Sequence, residues 1–477
     1  MEESLKQKTV SGIIWSSLER FSVQGIQFLI MIIMARLLLP SDYGLIGMLA
    51  IFFAISQSFI DSGFSNALIR KNDRTEIDFS TVFYFNIIVG ILFYLLLFFA
   101  SPAIAHFYNA PLLENVTKVI GVNIFINSLT VVQRAKFTIE VDFKSQAKAS
   151  VLSVIISGVL GIWMAYSGYG VWSLVVQSVV NGSINMILLW YYSRWIPART
   201  FSVSSFKEMF SFGSKLLLSG LLDTVYKNIY TIVIGKKFSA QDLGYFTRAD
   251  QFAQFPSSNL TGIVGRVTFP ILSSIQNDEP RLQSVYRKYL RMSAFVVFPL
   301  MMGMAALAHP LIFVLLTSKW EGVIILLQII CIASMWYPVH AINLNLLQVK
   351  GRSDLFLRLE VIKKVIGIVV LFITIPLGVV AMCIGMIFSS FFALIVNTHY
   401  TGKLINVGFI KQMGDLFPIL ANSLTMGGLV WWITQFIKLN EMRLFLGGVI
   451  GIIYYFLVAY ITHSAELKEI LLLVKRK

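Results

Sequence analysis

The chain has 477 residues, of which 57% are hydrophobic and only 13% charged, and its mean hydropathy is +0.76. No water-soluble fold of this length hides so much apolar surface, so the composition excludes soluble enzymes and binding modules and points to a membrane protein. The net charge of +15 would suggest a nucleic-acid partner in a soluble chain; here its distribution between loops carries the information, and no nucleic acid is expected.

Apolar stretches of about 20 residues recur along the chain, and in hydrocarbon such stretches must be helices, because a helix satisfies its own backbone hydrogen bonds. In chain order the predicted spans lie near 10–34, 44–65, 80–101, 113–133, 149–167, 171–192, 211–234, 245–270, 292–316, 322–348, 359–376, 379–401, 416–437 and 444–463. The expected fold is therefore all-α and polytopic, with about 14 transmembrane helices. The first span follows a polar decapeptide with Lys6 and Lys8, is long, carries Glu19 and Arg20, and lacks a small-residue cleavage site, so it does not read as a signal peptide. Cys331 and Cys383 both fall inside spans and read as packing residues, with no disulfide framework. With the N-terminus inside, 27 of the 39 Lys and Arg residues fall on the cytoplasmic side, six on the opposite side and six within spans, which places both termini in the cytoplasm. Lys144, Lys148 and Arg134 are read as cytoplasmic, Asp242 as external. No loop exceeds roughly 20 residues, too few for an extramembrane domain, so any chemistry must lie within or between helices.

An internal echo follows. Ala35-Arg-Leu-Leu-Leu-Pro-Ser-Asp-Tyr-Gly44 recurs 200 residues later as Gly235-Lys-Lys-Phe-Ser-Ala-Gln-Asp-Leu-Gly244, with the small residue, the base, the Asp and the Gly in register. A weaker echo pairs Gly168-Tyr-Gly-Val171 with Pro376-Leu-Gly-Val379. The chain reads as two pseudo-symmetric six-helix lobes, 1–200 and 201–405, followed by two additional helices and a cytoplasmic tail over 406–477. Six is an even number, so the repeat is parallel, a transporter signature that places a site at the repeat interface. Locally, Asp42 and Asp242 are expected to cap the incoming helices, and Gly44 and Gly244 to make tight turns.

Ionisable residues deep in a span are costly and mark bundle interiors or wet cavities. Ser16, Arg20, Gln24 and Gln27 form one face of the first helix, and Lys215, Ser219, Asp223 and Lys227 follow spacings of four on the seventh. The second helix contributes Gln57 and Asp61, the eighth Arg248, Asp250, Gln254, Ser258, Thr261 and Arg266. These four helices are the expected walls of one polar cavity, and its bases imply an anionic ligand. Glu114 with Lys118, and Asp223 with Lys227, are spaced to pair on their own helices. For Lys118, Lys215 and Arg266, near span ends, a snorkelling or pairing role competes with ligand binding. Most tryptophans, including Trp15, Trp163, Trp172, Trp190, Trp320, Trp431 and Trp432, sit near span ends and read as interfacial belts. His106, His309, His340, His399 and His463 are scattered, and neither a metal site nor a cofactor is indicated. The chain carries no Walker A, Gly-x-Ser-x-Gly or His-Glu-x-x-His motif, so an ion gradient, the membrane potential or a downhill lipid gradient must drive any transport.

The opening Ser11-Gly-Ile-Ile-Trp-Ser16, the Ala35 to Gly44 segment, Asp61-Ser-Gly-Phe-Ser-Asn-Ala-Leu-Ile69 and the span layout together resemble the polysaccharide transporter family of the multidrug/oligosaccharidyl-lipid/polysaccharide (MOP) exporter superfamily, which includes O-antigen flippases and colanic and teichuronic acid exporters. The resemblance covers nearly the whole chain. It implies a bacterial inner-membrane flippase for a polyprenyl-diphosphate-linked oligosaccharide, two lobes splayed in a V, a central cationic cavity, a lateral portal near the first and eighth helices, where Arg20 and Arg248 lie, and a groove for the polyprenyl tail from the last two helices. Expected partners are that lipid-linked oligosaccharide, membrane lipids and polysaccharide polymerase or assembly proteins. The lobes are expected to move about the Thr200 to Ser211 connection. The rival readings are an ion-coupled drug exporter of the same superfamily, whose cavity should favour acids; a glycan polymerase or ligase, which needs a sizeable outer loop; and a non-transporting scaffold.

Overall fold

The computed structural model describes residues 2–61 and 63–475; the side chains at 2–14, 16–18, 20, 21, 212, 215, 216, 218, 219, 263 and 473–475 lie outside the described set. Among the described residues all regular structure is helical. Ten helical runs are long and apolar enough to cross a membrane, and each of the fourteen predicted stretches falls on one helix or on consecutive helices. The chain divides into two compact units, Met1–Gly244 and Tyr245–Lys477.

The first unit holds α1 (Glu2–Leu37), α2 (Pro40–Asp61), α3 (Phe64–Arg70), α4 (Glu76–Tyr108), α5 (Leu112–Ile120), α6 (Val122–Ser128), α7 (Val131–Glu140), α8 (Phe143–Tyr166), α9 (Val171–Ser193) and α10 (Val203–Lys237). Helix α8 packs along both α1 and α9, and α10 packs on α2. Small residues permit the close crossings: a Cβ added at Gly158 of α8 would sit 2.1 Å from Ile30 Cδ1 of α1, and one at Gly90 of α4 would sit 2.4 Å from Ser128 Oγ of α6. At one end, Phe64, Phe79, Phe83, Val132 and Trp195 form an aromatic core.

The connection that leads from α9 into α10 is fastened to this unit. Trp195 Nε1 donates to Glu76 (2.6 Å), Ala198 N to Ser80 Oγ (2.8 Å) and Ser202 N to Thr81 Oγ1 (3.0 Å). Lys71 bridges Glu208 (3.0 Å) and Asp78 (3.2 Å), and the Glu208 carboxylate, aided by Asp78, holds the Lys71 ammonium above its ordinary value against the opposing effect of burial. Up to Glu208 the segment about which the lobes are expected to move is thus bonded to the start of α4 and to Lys71 just before it.

The repeated motif has a local role that the sequence shows only in part. Asp42 Oδ2 accepts from Leu39 N (2.9 Å), and Asp242 Oδ2 accepts from Ser239 N (3.1 Å), while Asp242 N donates to Ser239 Oγ (3.0 Å). Each Asp thus satisfies backbone donors at a helix start, the second within a reciprocal capping box. The glycines, in contrast, make no tight turn; both are helical, in α2 and at the start of α11 (Ala240–Ser274). A Cβ at Gly44 would lie 1.7 Å from the Ala240 carbonyl oxygen, and a Cβ at Gly244 would lie 1.9 Å from the Pro40 carbonyl oxygen. Pro40 and Ala240 occupy the same place in the repeat, so the two helix starts cross reciprocally, each glycine seating the other helix's first carbonyl.

The second unit continues α11 and adds α12 (Glu279–Ala306), α13 (Ala308–Leu315), a 3₁₀ turn at Ser318–Trp320, α14 (Val323–Ser334), α15 (Tyr337–Val349), α16 (Ser353–Thr374), a 3₁₀ turn at Ile375–Leu377, α17 (Val379–Ile405), α18 (Phe409–Thr434), α19 (Asn440–Ile461) and α20 (Ala465–Lys475). Helix α12 packs on α18 and α14, α16 on α17, and α18 on α19. A buried polar knot joins α15, α17 and α18. Asn343 Nδ2 donates to Gln412 Oε1 (3.0 Å), Gln412 Nε2 returns a bond to Asn343 Oδ1 (3.1 Å), Thr401 Oγ1 donates to Asn343 Oδ1 (3.0 Å), and Gln412 also reaches Val407 O (2.9 Å). Such groups are tolerated in the interior because they are mutually satisfied. Helix α20 is tied to α12 through Lys288–Glu469 and Arg291–Glu466. Trp320 is 0% exposed and belongs to the core, not to an interfacial belt, whereas Trp163, Trp431 and Trp432 are more than half exposed.

Candidate functional site in the polar faces of the two units

In the first unit the polar residues gather where α1, α2, α6, α7, α9 and α10 meet. Gln57 Nε2 donates to Asp61 Oδ1 (3.0 Å), and Asn127 of α6 donates to Gln57 Oε1 (3.4 Å). Arg134 of α7 lies in the electrostatic field of Asp61 and Glu19 without an ion pair to either within 4 Å, and its guanidinium reaches Asn185 Oδ1 of α9 (3.4 Å), which in turn reaches Ser153 (3.4 Å). Glu19 accepts from Ser150 Oγ (2.8 Å). Ser58 and Thr224 share a hydrogen bond at 3.2 Å, which registers α10 against α2. Immediately before Thr224 lies Asp223 and about one turn after it Lys227, paired at 2.7 Å with side chains 43% and 71% exposed. The spacing of four on α10 thus does produce the pair, and Lys118 and Glu114 pair likewise at 2.6 Å. Gln24 is half-buried and Gln27 exposed. The side chains of Arg20 and Lys215 lie outside the described residues.

The polar residues of α11 do not share one face. Arg248 is buried, at 9% exposure, and donates to Gln251 Oε1; Gln254 is exposed and donates to Asp250 Oδ1 at 3.4 Å; Thr261 is buried and bonds back to Ser257 O; Arg266 is exposed. Ser257 donates to Ser334 O, fixing α11 on α14. Asp250, Gln254, Ser258 and Thr261 follow spacings of four, four and three and share one side of α11, while Arg248 and Arg266 fall on another; the buried Arg248 and Thr261 are bonded within their own helix. Elsewhere in this unit, His340 faces Ser390 Oγ through Nε2 (3.1 Å) and Asn397 Nδ2 through Nδ1 (3.3 Å). Ser390 donates its hydroxyl proton to Ala333 O (3.0 Å), so it accepts from His340 Nε2–H, and Nδ1 accepts from the amide. His340 is thereby a neutral packing histidine.

Arg134 is the functional candidate that sequence reasoning misses. It reads there as a loop cation, but the chain forms the short helices α5, α6 and α7 across the fourth apolar stretch, and α7 carries the guanidinium to Asp61. Its flanking residues Gln133 and Lys136 look like loop sequence, while Val131, Val132, Ala135 and Phe137, all buried, carry a helical spacing that marks α7 as part of the bundle. No group of three or more His, Cys, Asp or Glu side chains converges among the described residues, and Cys331 and Cys383 are free and buried.

The described helices make a multi-pass helical fold shared with solved membrane transporters. The solved structures bear this out: the chain is similar to an inward closed conformation of the lipid II flippase MurJ, with a TM-score of 0.78 at 15% identity over 94% of this chain and 99% of that chain, and to an inward-facing multidrug resistance MATE family transporter of the MOP superfamily, with a TM-score of 0.62 at 14% identity over 80% and 96%. The profile of the polysaccharide biosynthesis protein family matches residues 33–325, and the chain belongs to that family. Among its relatives are the teichuronic acid biosynthesis protein TuaB of Bacillus subtilis, 28% identical over 74% of this chain and 73% of the relative, and the lipopolysaccharide biosynthesis protein WzxC of Escherichia coli, 23% identical over 92% and 87%. The family resemblance drawn from the sequence motifs therefore holds.

Proposed function

We propose that this protein translocates a polyprenyl-diphosphate-linked oligosaccharide, the precursor of a surface polysaccharide, across the bacterial cytoplasmic membrane by alternating access. The observation that carries the reading is the paired charge of the first unit's polar face. Lys227 pairs with Asp223 and stays 71% exposed, and Arg134 lies in the field of Asp61 and Glu19; both cations stand on helices predicted to cross the membrane. An ionised group held in hydrocarbon without function is costly, and an exposed ammonium or guanidinium there suits phosphate oxygens. Family membership and the flippase fold support the same substrate class. In this reading the chain crosses the membrane fourteen times as two six-helix lobes plus two helices, with both termini cytoplasmic and Asp242 external. Gln24, Gln27, Asp61, Asp223, Lys227 and, from sequence alone, Arg20 and Lys215 are the headgroup candidates of the first unit, and Asp250, Gln254 and Arg266 those of the second; Arg248 supports α11.

Reconstitution in liposomes with a polyprenyl-diphosphate oligosaccharide, scored by its appearance in the outer leaflet, tests the reading. Losing one charge-assisted contact costs about 1.5 to 3 kcal/mol, so Arg20→Ala or Lys227→Ala is expected to slow transport roughly tenfold or more with the protein still inserted. Normal transport by Asp223→Asn combined with Lys227→Gln would reduce that pair to packing. Labelling of a cysteine at position 144 from outside would overturn the topology.

A further inference from the structure

The first unit also holds a cleft that the transport reading does not use. It lies between the cytoplasmic halves of α1 and α8 and the end of α9, encloses about 430 Å³, and is lined by Trp15, Lys148, Val151, Leu152, Ile155 and Tyr192 among others. Its walls are apolar, and Leu152 and Ile155 remain 42% exposed although both belong to a packed helix. At its mouth the chemistry changes. Lys144 Nζ stands 5.4 Å from the centre of the Trp15 ring, and Lys148, one turn further along the same face of α8, is exposed. The carboxylate in the cleft, Glu19, accepts the Ser150 hydroxyl and lies in the field of Arg134, so its charge is answered from inside the unit.

We infer that this cleft binds an anionic phospholipid of the cytoplasmic leaflet, with the phosphodiester at Lys144 and Lys148 and one acyl chain along Val151, Leu152 and Ile155. The assignment follows from the order of the groups along the helix. In the proposed topology two lysines and two aromatic rings sit at headgroup level, and an open apolar trough runs from them along α8. Basic clefts between membrane helices on the cytoplasmic side suit anionic headgroups, since the inner leaflet supplies that charge. A zwitterionic lipid would fill the trough equally well but gain little from two ammonium groups. The bound lipid would cement α1, which carries Arg20, Gln24 and Gln27, to α8. The leaflet rests on the topology proposed above, which cysteine labelling at position 144 tests separately.

The test uses the full chain in mixed micelles with a photoactivatable phosphatidylglycerol, mapping cross-links by peptide mass. Labelling is expected on residues 143–155, displaced by unlabelled phosphatidylglycerol and not by phosphatidylcholine. Removing both cations with Lys144→Gln and Lys148→Gln is expected to weaken binding about thirtyfold, taking each as a juxtamembrane charge. Leu152→Trp, which fills the trough and leaves both lysines, should also abolish labelling. The wild-type cross-link alone decides the matter if either variant misfolds. Absence of labelling in 143–155, equal displacement by phosphatidylcholine, or unchanged labelling of Leu152→Trp would overturn the proposal. Displacement by equimolar polyprenyl diphosphate would also overturn it, making the cleft a seat for the transported lipid.

Discussion

The reciprocal crossing of Gly44 and Gly244 gives the sharpest test of how the repeat is used. In Gly44→Ala the new methyl would lie 1.7 Å from the Ala240 carbonyl oxygen, where contacts under 3.0 Å are not tolerated, so the two helix starts must separate by at least about 1 Å. The obstacle is backbone on a capped helix, which cannot rotate away as a side chain can. Overpacking of this kind costs about 1 to 3 kcal/mol, set against a gain of up to about 1 kcal/mol from replacing glycine by alanine within a helix. Gly428→Ala isolates that gain, because a Cβ there meets nothing within 4 Å. Thermal unfolding in detergent is expected to rank Gly428→Ala at or above the wild type and Gly44→Ala and Gly244→Ala below it. The decisive measurement is the double variant. Separation forced by one methyl also opens the other seat, so Gly44→Ala with Gly244→Ala should lose less than the two single losses together. Strict additivity would refute the reciprocal contact, and a wild-type midpoint for Gly44→Ala would refute the crossing.

Gln412→Leu removes its hydrogen bonds to Asn343, Thr401 and the Val407 carbonyl, each of which keeps another partner, at a net cost of about 0.5 to 1.5 kcal/mol per bond; the unfolding midpoint should fall, and Asn343→Leu should cost less in that background than in the wild type. Lys71→Gln should expose the segment between Trp195 and Glu208 to proteolysis at neutral pH. Because Glu208 raises the Lys71 pKa, the wild-type tie should be fully present up to about pH 10.5 and be lost only as pH rises past the elevated value. Arg134→Gln should cut transport of the lipid-linked oligosaccharide about tenfold or more, and adding Asp61→Asn should not restore it if the guanidinium holds substrate; recovery would assign Arg134 to pairing alone.

The apolar stretches, the charged loops and the repeat are legible in the sequence because each depends on residues close in the chain: a span on about 20 neighbours, the pairs Asp223–Lys227 and Glu114–Lys118 on a spacing of four, the Asp42 and Asp242 caps on the residue three before. The family motifs add the class of protein by the same route. What stayed hidden depends on residues far apart. Gly44 looks like a turn glycine until Ala240 is brought against it, Arg134 looks like a loop cation until α7 carries it to Asp61, and Trp320 looks interfacial until it is enclosed. Local hydrogen bonding and transfer to hydrocarbon are decided by composition over one or two turns; which polar groups share a cavity is decided by helix crossings, and these rest on contacts such as Gly158 with Ile30 that no local pattern encodes.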